Sequence, residues 1–143
     1  MENAGMTGLS RLAFVVQSEV LAGDEISQRL GLEPTQVTQR GELLSPRNPD
    51  GRRRVHTTWE LTSSIPETEE LAAHLEALLP CVESRLPALR RIQSEGGTVF
   101  WSCFVTAKPL GNAFRLEAEL LSRLAEVGVS LDFDLYDSDE PAH

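Results

Sequence analysis

Lysine is nearly absent from this chain. Lys108 is the only one, and the other twelve of the thirteen basic residues are arginines. That skew reads as codon bias more than chemistry. Positive charge is scarce overall: 13 Lys and Arg face 22 Asp and Glu, for a formal net charge of −9 and a pI near 4.8. Nucleic-acid binding usually rests on a basic face that releases counterions, so this balance argues against it. Acidity suits solubility, or a decoy for a basic partner. Cysteine is limited to Cys81 and Cys103, far apart and in no C-x-x-C pair. Counting alone allows one disulfide, but two small buried thiols in an intracellular chain are the commoner case. Long apolar runs are missing too. Leu12 to Val16 is five residues, far below the ~20 that span a bilayer. The N-terminus has no basic leader and no long apolar core, so a cytoplasmic protein without a membrane or nucleic-acid partner is expected.

The 143 residues are one domain's worth, with 41 % hydrophobic and 24 % charged residues. This is the composition of an ordinary globular domain. The expected organisation is a loose N-terminus over 1–8, one α+β domain over 9–137 and a frayed acidic tail over 138–143. Neither internal repeats nor low-complexity segments interrupt it.

Leu12 to Val16 is apolar on both faces and predicts a central strand. Gly23-Asp24-Glu25 opens a short helix with Ile26 and Leu30 on one face, and Gly31 stops it. Val37 to Glu42 reads as strand or extended loop. Asn48-Pro49-Asp50-Gly51 is a turn, since proline fixes φ and glycine accepts φ > 0. After it, Val55, Thr57, Trp59 and Leu61 alternate with His56, Thr58, Glu60 and Thr62, which predicts a half-buried strand with Trp59 inward.

From Pro66, Leu71, Leu75, Leu78, Leu79 and Val82 form an amphipathic face. Pro80 and Pro87 each suit the first turn of a new helical piece, so the spacing predicts a kinked or broken helix to about residue 94. Thr98 to Lys108 is the most β-prone stretch. Gly111-Asn112 caps a helix with Leu116, Leu120, Leu121, Leu124 and Val127 inward and a Glu119–Arg123 pair on its surface. Leu131, Phe133 and Leu135 then alternate with Asp132, Asp134 and Tyr136.

Two β-α-β units at the chain's ends predict a ferredoxin-like antiparallel or mixed sheet. Its helices lie mainly on one face, with a long helical insertion between the second and third core strands.

Four segments also match a family pattern: Leu30-Gly31-Leu32-Glu33-Pro34, Gln39-Arg40-Gly41-Glu42, Thr58-Trp59-Glu60-Leu61-Thr62-Ser63 and the Asp134-Leu135-Tyr136 ending. Together they resemble the bacterial domain-of-unknown-function family numbered 4279, from about residue 10 to 137. The resemblance implies a small intracellular α+β domain and brings no catalytic residue with it. Some small acidic families serve as immunity proteins for secreted toxins, an analogy of size and charge.

The residues offer little catalytic chemistry. His56, His74 and His143 have no metal-ligand spacing, and zinc needs about four ligands. Cys103 alternates with Trp101 and Val105 on an apolar face, as a core cysteine does. Nucleotide-binding and nucleophile-elbow motifs are absent. Asp132, Asp134, Asp137, Asp139 and Glu140 crowd together, with Asp132 and Asp134 roughly 6–7 Å apart on one strand face. Their spacing does not fit a calcium loop, and a charged strand edge that resists unwanted pairing accounts for them.

Arg52-Arg53-Arg54, with Arg40 and Arg47, makes a basic island suited to anions through guanidinium forks. Phe100 and Phe104, opposite Trp101, call for a cover on the second sheet face.

The chain is therefore read as a non-enzymatic binding protein without cofactor or metal. Asp132, Asp134, Tyr136 and Glu60 would meet a protein partner, such as a basic toxin or effector. The alternatives are an anionic-ligand sensor or enzyme using Arg52, Arg53, Arg54 and Arg40 near Trp59, and a structural homodimerisation module.

Overall fold

Leu12, Phe14 and Val16 point one way along the first strand and Ala13 and Val15 the other, and all five are buried. Only a strand covered on both faces can hold such a run. The computed structural model, which describes residues 8–107 and 115–137, places this strand, β1 (Leu9–Ser18), third in a five-stranded sheet. The others are β2 (Gln36–Thr38), β3 (Thr57–Thr62), β4 (Thr98–Ala107) and β5 (Ser130–Asp137), in the order β2-β3-β1-β4-β5. The described helices are α1 (Gly23–Leu30), α2 (Leu71–Glu83), α3 (Leu86–Ser94) and α4 (Ala118–Val127), so the fold is α+β.

A split β-α-β sheet, the expected ferredoxin-like arrangement, separates the strands of each unit. Here β3 lies beside β1 and β5 beside β4. Leu12 O accepts from Ser63 N, and the Gln17 side chain donates to Thr58. The partners' numbers run in opposite directions, as an antiparallel pair requires. The chain reaches β3 through β2, with which it pairs Val37 opposite Trp59.

The packing forms two compact units. One comprises residues 14–62 and 85–100. Phe14, Ile26, Trp59, Leu89 and Ile92 fill its core. Asp24 and Glu25 favour the N-terminal turn of α1, and Glu25 Oε1 accepts the Ala22 N–H at 2.8 Å. Gly31, at φ +68°, closes the helix in the left-handed conformation. Arg85 Nε then donates to Leu30 O at 2.6 Å, and Arg29 pairs with Glu95 at 2.8 Å.

Of the described residues, the other unit comprises 8–13, 63–84, 101–107 and 115–137 and buries Leu75, Leu79, Val82, Trp101, Leu120 and Leu124. Pro87 opens α3 as expected, but Pro80 sits inside α2. It removes one backbone N–H there, and its exposed position leaves the deprived carbonyl open to water. The fourth helix begins at Ala118 behind Glu117, so Leu116 precedes it. Leu121 is 50 % exposed and does not join the inner stripe. Arg123 bypasses Glu119 and grips Glu83 of α2 with two bonds of 2.9 and 2.8 Å. A fork that fits both carboxylate oxygens outcompetes an i,i+4 neighbour. The expected Gly111-Asn112 cap and the loose ends at 1–7 and 138–143 lie outside the described residues.

Among the described residues, no helix is long and apolar enough to cross a membrane.

Candidate functional site

Two surfaces gather polar groups. The first grows from the Asn48-Pro49-Asp50-Gly51 turn, closed by Gly51 N donating to Asn48 O at 2.9 Å. The chain on either side zips into a small antiparallel finger. Leu44 N donates to Arg52 O, Arg54 N to Glu42 O and Gly41 N to Arg54 O, with Leu43 opposite Arg53. Val55 lies beyond the finger and before β3, and it is exposed rather than inward.

Extended backbone sends alternate side chains to opposite sides. Arg53 bends back to Gly41 O at 2.8 Å. Arg52 and Arg54 have no ion-pair partner among the described residues, although Arg54 is half-buried. All three arginines line a cleft of about 320 Å³. Gln17, Thr58 and His56 add polar lining, Leu44 and Val55 add apolar lining, and His56 Nε2 lies 3.8 Å from Glu19.

Neither Arg40 nor Trp59 is among the residues that line this cleft. Arg40 is not in the cleft: its guanidinium donates to Glu19 O, and it lines a neighbouring crevice with Gln39 and Thr57. Trp59 is fully buried and donates Nε1–H to Ser27 Oγ at 3.0 Å, so its ring is unavailable to a ligand.

The second surface is β5. It ends the sheet, and Asp132, Asp134 and Tyr136 are exposed on it. Phe133 and Leu135, which alternate with them, are 42 % and 53 % exposed. An edge strand has a strand neighbour on one side only, which reduces its cover. Glu60 does not join this surface. It lies half-buried on β3 opposite Gln36, and β3 is not a neighbour of β5.

Tyr136 meets Phe104 with ring centroids 5.3 Å apart, and Arg11 lies over the Phe104 ring at 4.4 Å. Glu67 pairs with the same Arg11 at 3.0 Å. This row supplies the cover that Phe104 needed. Sequence reasoning missed it because its members come from distant elements with no local signal.

Cys103 is buried, and burial together with the Asp132 charge pushes its thiol up to about 12, far from a thiolate at neutral pH. His74 is buried on α2 with Nδ1 2.8 Å from Ser63 Oγ. Among the described residues no group of three or more His, Cys, Asp or Glu is placed to hold a metal.

Fold and surfaces together define a small α+β domain whose polar groups concentrate on an edge strand and in an arginine-lined cleft. The chain belongs to the family described as domain of unknown function DUF4279, whose model matches residues 9–138. No curated protein and no solved structure matches it.

Proposed function

We propose that this chain is a non-enzymatic binding protein that holds a basic protein partner along β5. The observation that carries the reading is the exposed edge strand itself. It alternates Asp132 and Asp134 with exposed Phe133 and Leu135 at the end of the sheet.

A sheet edge offers backbone donors and acceptors to an added strand, and alternate side chains set specificity. The two aspartates select lysine or arginine on the incoming chain, and Phe133, Leu135 and Tyr136 add apolar contact. The net charge of −9 speeds encounter with a cation-rich partner. Self-pairing of β5 is the less favoured arrangement, because it brings like charges together.

The α2–α3 segment is read as a helical insertion between the second and third core strands, on a strand order that departs from the ferredoxin-like one. A partner of the toxin or effector type, held in the cytoplasm and neutralised, fits the acidic surface.

The test is a tagged pull-down from the native host at low salt, run beside the Asp132→Lys/Asp134→Lys double variant. The expected result is a stoichiometric basic protein on the wild-type chain that is lost at high salt and from the variant. A partner that binds both chains equally, or no stoichiometric partner, overturns the proposal.

A further inference from the structure

Arg54 is half-buried, and neither it nor Arg52 meets a carboxylate among the described residues. Partial desolvation of a guanidinium without a counter-charge is unfavourable, and a bound anion removes that penalty. Residues 40–54 carry five arginines against Glu42 and Asp50, an island of positive charge in an acidic chain. Charge of this sign, in a concave site, gathers anions that the rest of the surface repels.

The donors specify the anion. Arg52 and Arg54 line the cleft together with the Gln17 amide and the Thr58 hydroxyl. The donors of two forked cations and two neutral groups outnumber the two oxygens of a carboxylate. They suit a tetrahedral group with three terminal oxygens. Beside them, Leu44 and Val55 present exposed apolar surface. The cleft volume of about 320 Å³ lies at the small end of ligand pockets.

We infer that this cleft binds a small phosphate monoester, its phosphate on Arg52 and Arg54 and its apolar substituent against Val55 and Leu44. The site shares no residue with the β5 surface and does not depend on the partner proposed there. Arg53 is a positioning residue, since its guanidinium ties the strand back to Gly41 O.

Titration calorimetry on the full chain tests the inference with phenyl phosphate, inorganic phosphate, benzoate and a phosphotyrosine peptide. Phenyl phosphate is expected to bind best. Arg52→Ala/Arg54→Ala should weaken it at least about tenfold, the size of one lost charge-assisted contact. Asp132→Lys/Asp134→Lys should leave it no weaker. Arg52→Ala alone, at an exposed side chain, keeps the test valid if the double variant fails to fold. Four results overturn the inference: no binding of phenyl phosphate at millimolar concentration, equal binding of benzoate, tighter binding of the peptide, or unchanged affinity in the folded arginine variants. Equal affinity for inorganic and phenyl phosphate would overturn the role given to Val55 and Leu44.

Discussion

An indole in a protein core brings an N–H that must find an acceptor, and Ser27 Oγ supplies it for Trp59 at 3.0 Å. Ser27→Ala leaves that buried donor alone and is expected to cost about 1–3 kcal/mol, read as a shift in the urea midpoint. Trp59→Ala should cost more, about 3–5 kcal/mol, through the cavity it opens. Cys103 makes a second prediction. Its thiol, pushed up to about 12 from 9.0, stays neutral in the folded chain while the unfolded thiol ionises. Stability from this group is therefore intact below pH 9 and lost progressively as pH rises towards 12. Cys103→Ala should flatten that alkaline slope in a pH series of denaturation curves. With a thiol reagent, half-buried Cys81 should react in the folded chain and Cys103 only on unfolding. The inward side of Trp59 and Cys103 was readable from alternation alone. Their hydrogen-bond and charge partners were not, because Ser27 and Asp132 lie on other elements.

Helices end where their last carbonyls are met by other donors, and both α1 and α4 end on a left-handed glycine. Gly31→Ala and Gly128→Ala force a Cβ into φ +68° and +71°. Each should lower stability by about 1 kcal/mol, measured by thermal or chemical unfolding. The ion pair between α2 and α4 tests differently. Arg123 holds the Glu83 carboxyl below its ordinary value, so its stabilisation exists above the usual carboxylate range and fades as pH falls through it. Glu83→Gln should give a small, salt-sensitive loss at neutral pH and none in acid, because the pair is solvent-exposed. The glycine stops were legible because glycine's freedom is a local property. The choice of Glu83 over Glu119 was not, because it depends on how two helices meet.

Surface charge governs encounter more than folding. Asp132→Lys/Asp134→Lys takes the net charge from −9 to −5 without touching a buried group, so the unfolding curve should be nearly unchanged. Partner association, by contrast, should slow and lose its salt dependence, a result stopped-flow or surface-binding kinetics would read. The α+β class and the central place of β1 followed from apolar patterning. Strand order did not, since hydrophobic alternation tells a strand which face to bury and not which neighbour to take. The same limit hid the separation of Glu60 from β5 and of Arg40 from the arginine cleft.

Trp59 and Trp101 are fully buried, one in each compact unit. Intrinsic fluorescence therefore carries two separable optical channels. In Trp59→Phe the emission reports residues around Trp101, and in Trp101→Phe those around Trp59. Superimposable melting curves from the two variants, after allowance for their different midpoints, would mean that the domain unfolds as one cooperative system. Both indoles are shielded from aqueous quenchers, so ligands at the cleft or at β5 should leave the emission spectrum dark to their arrival.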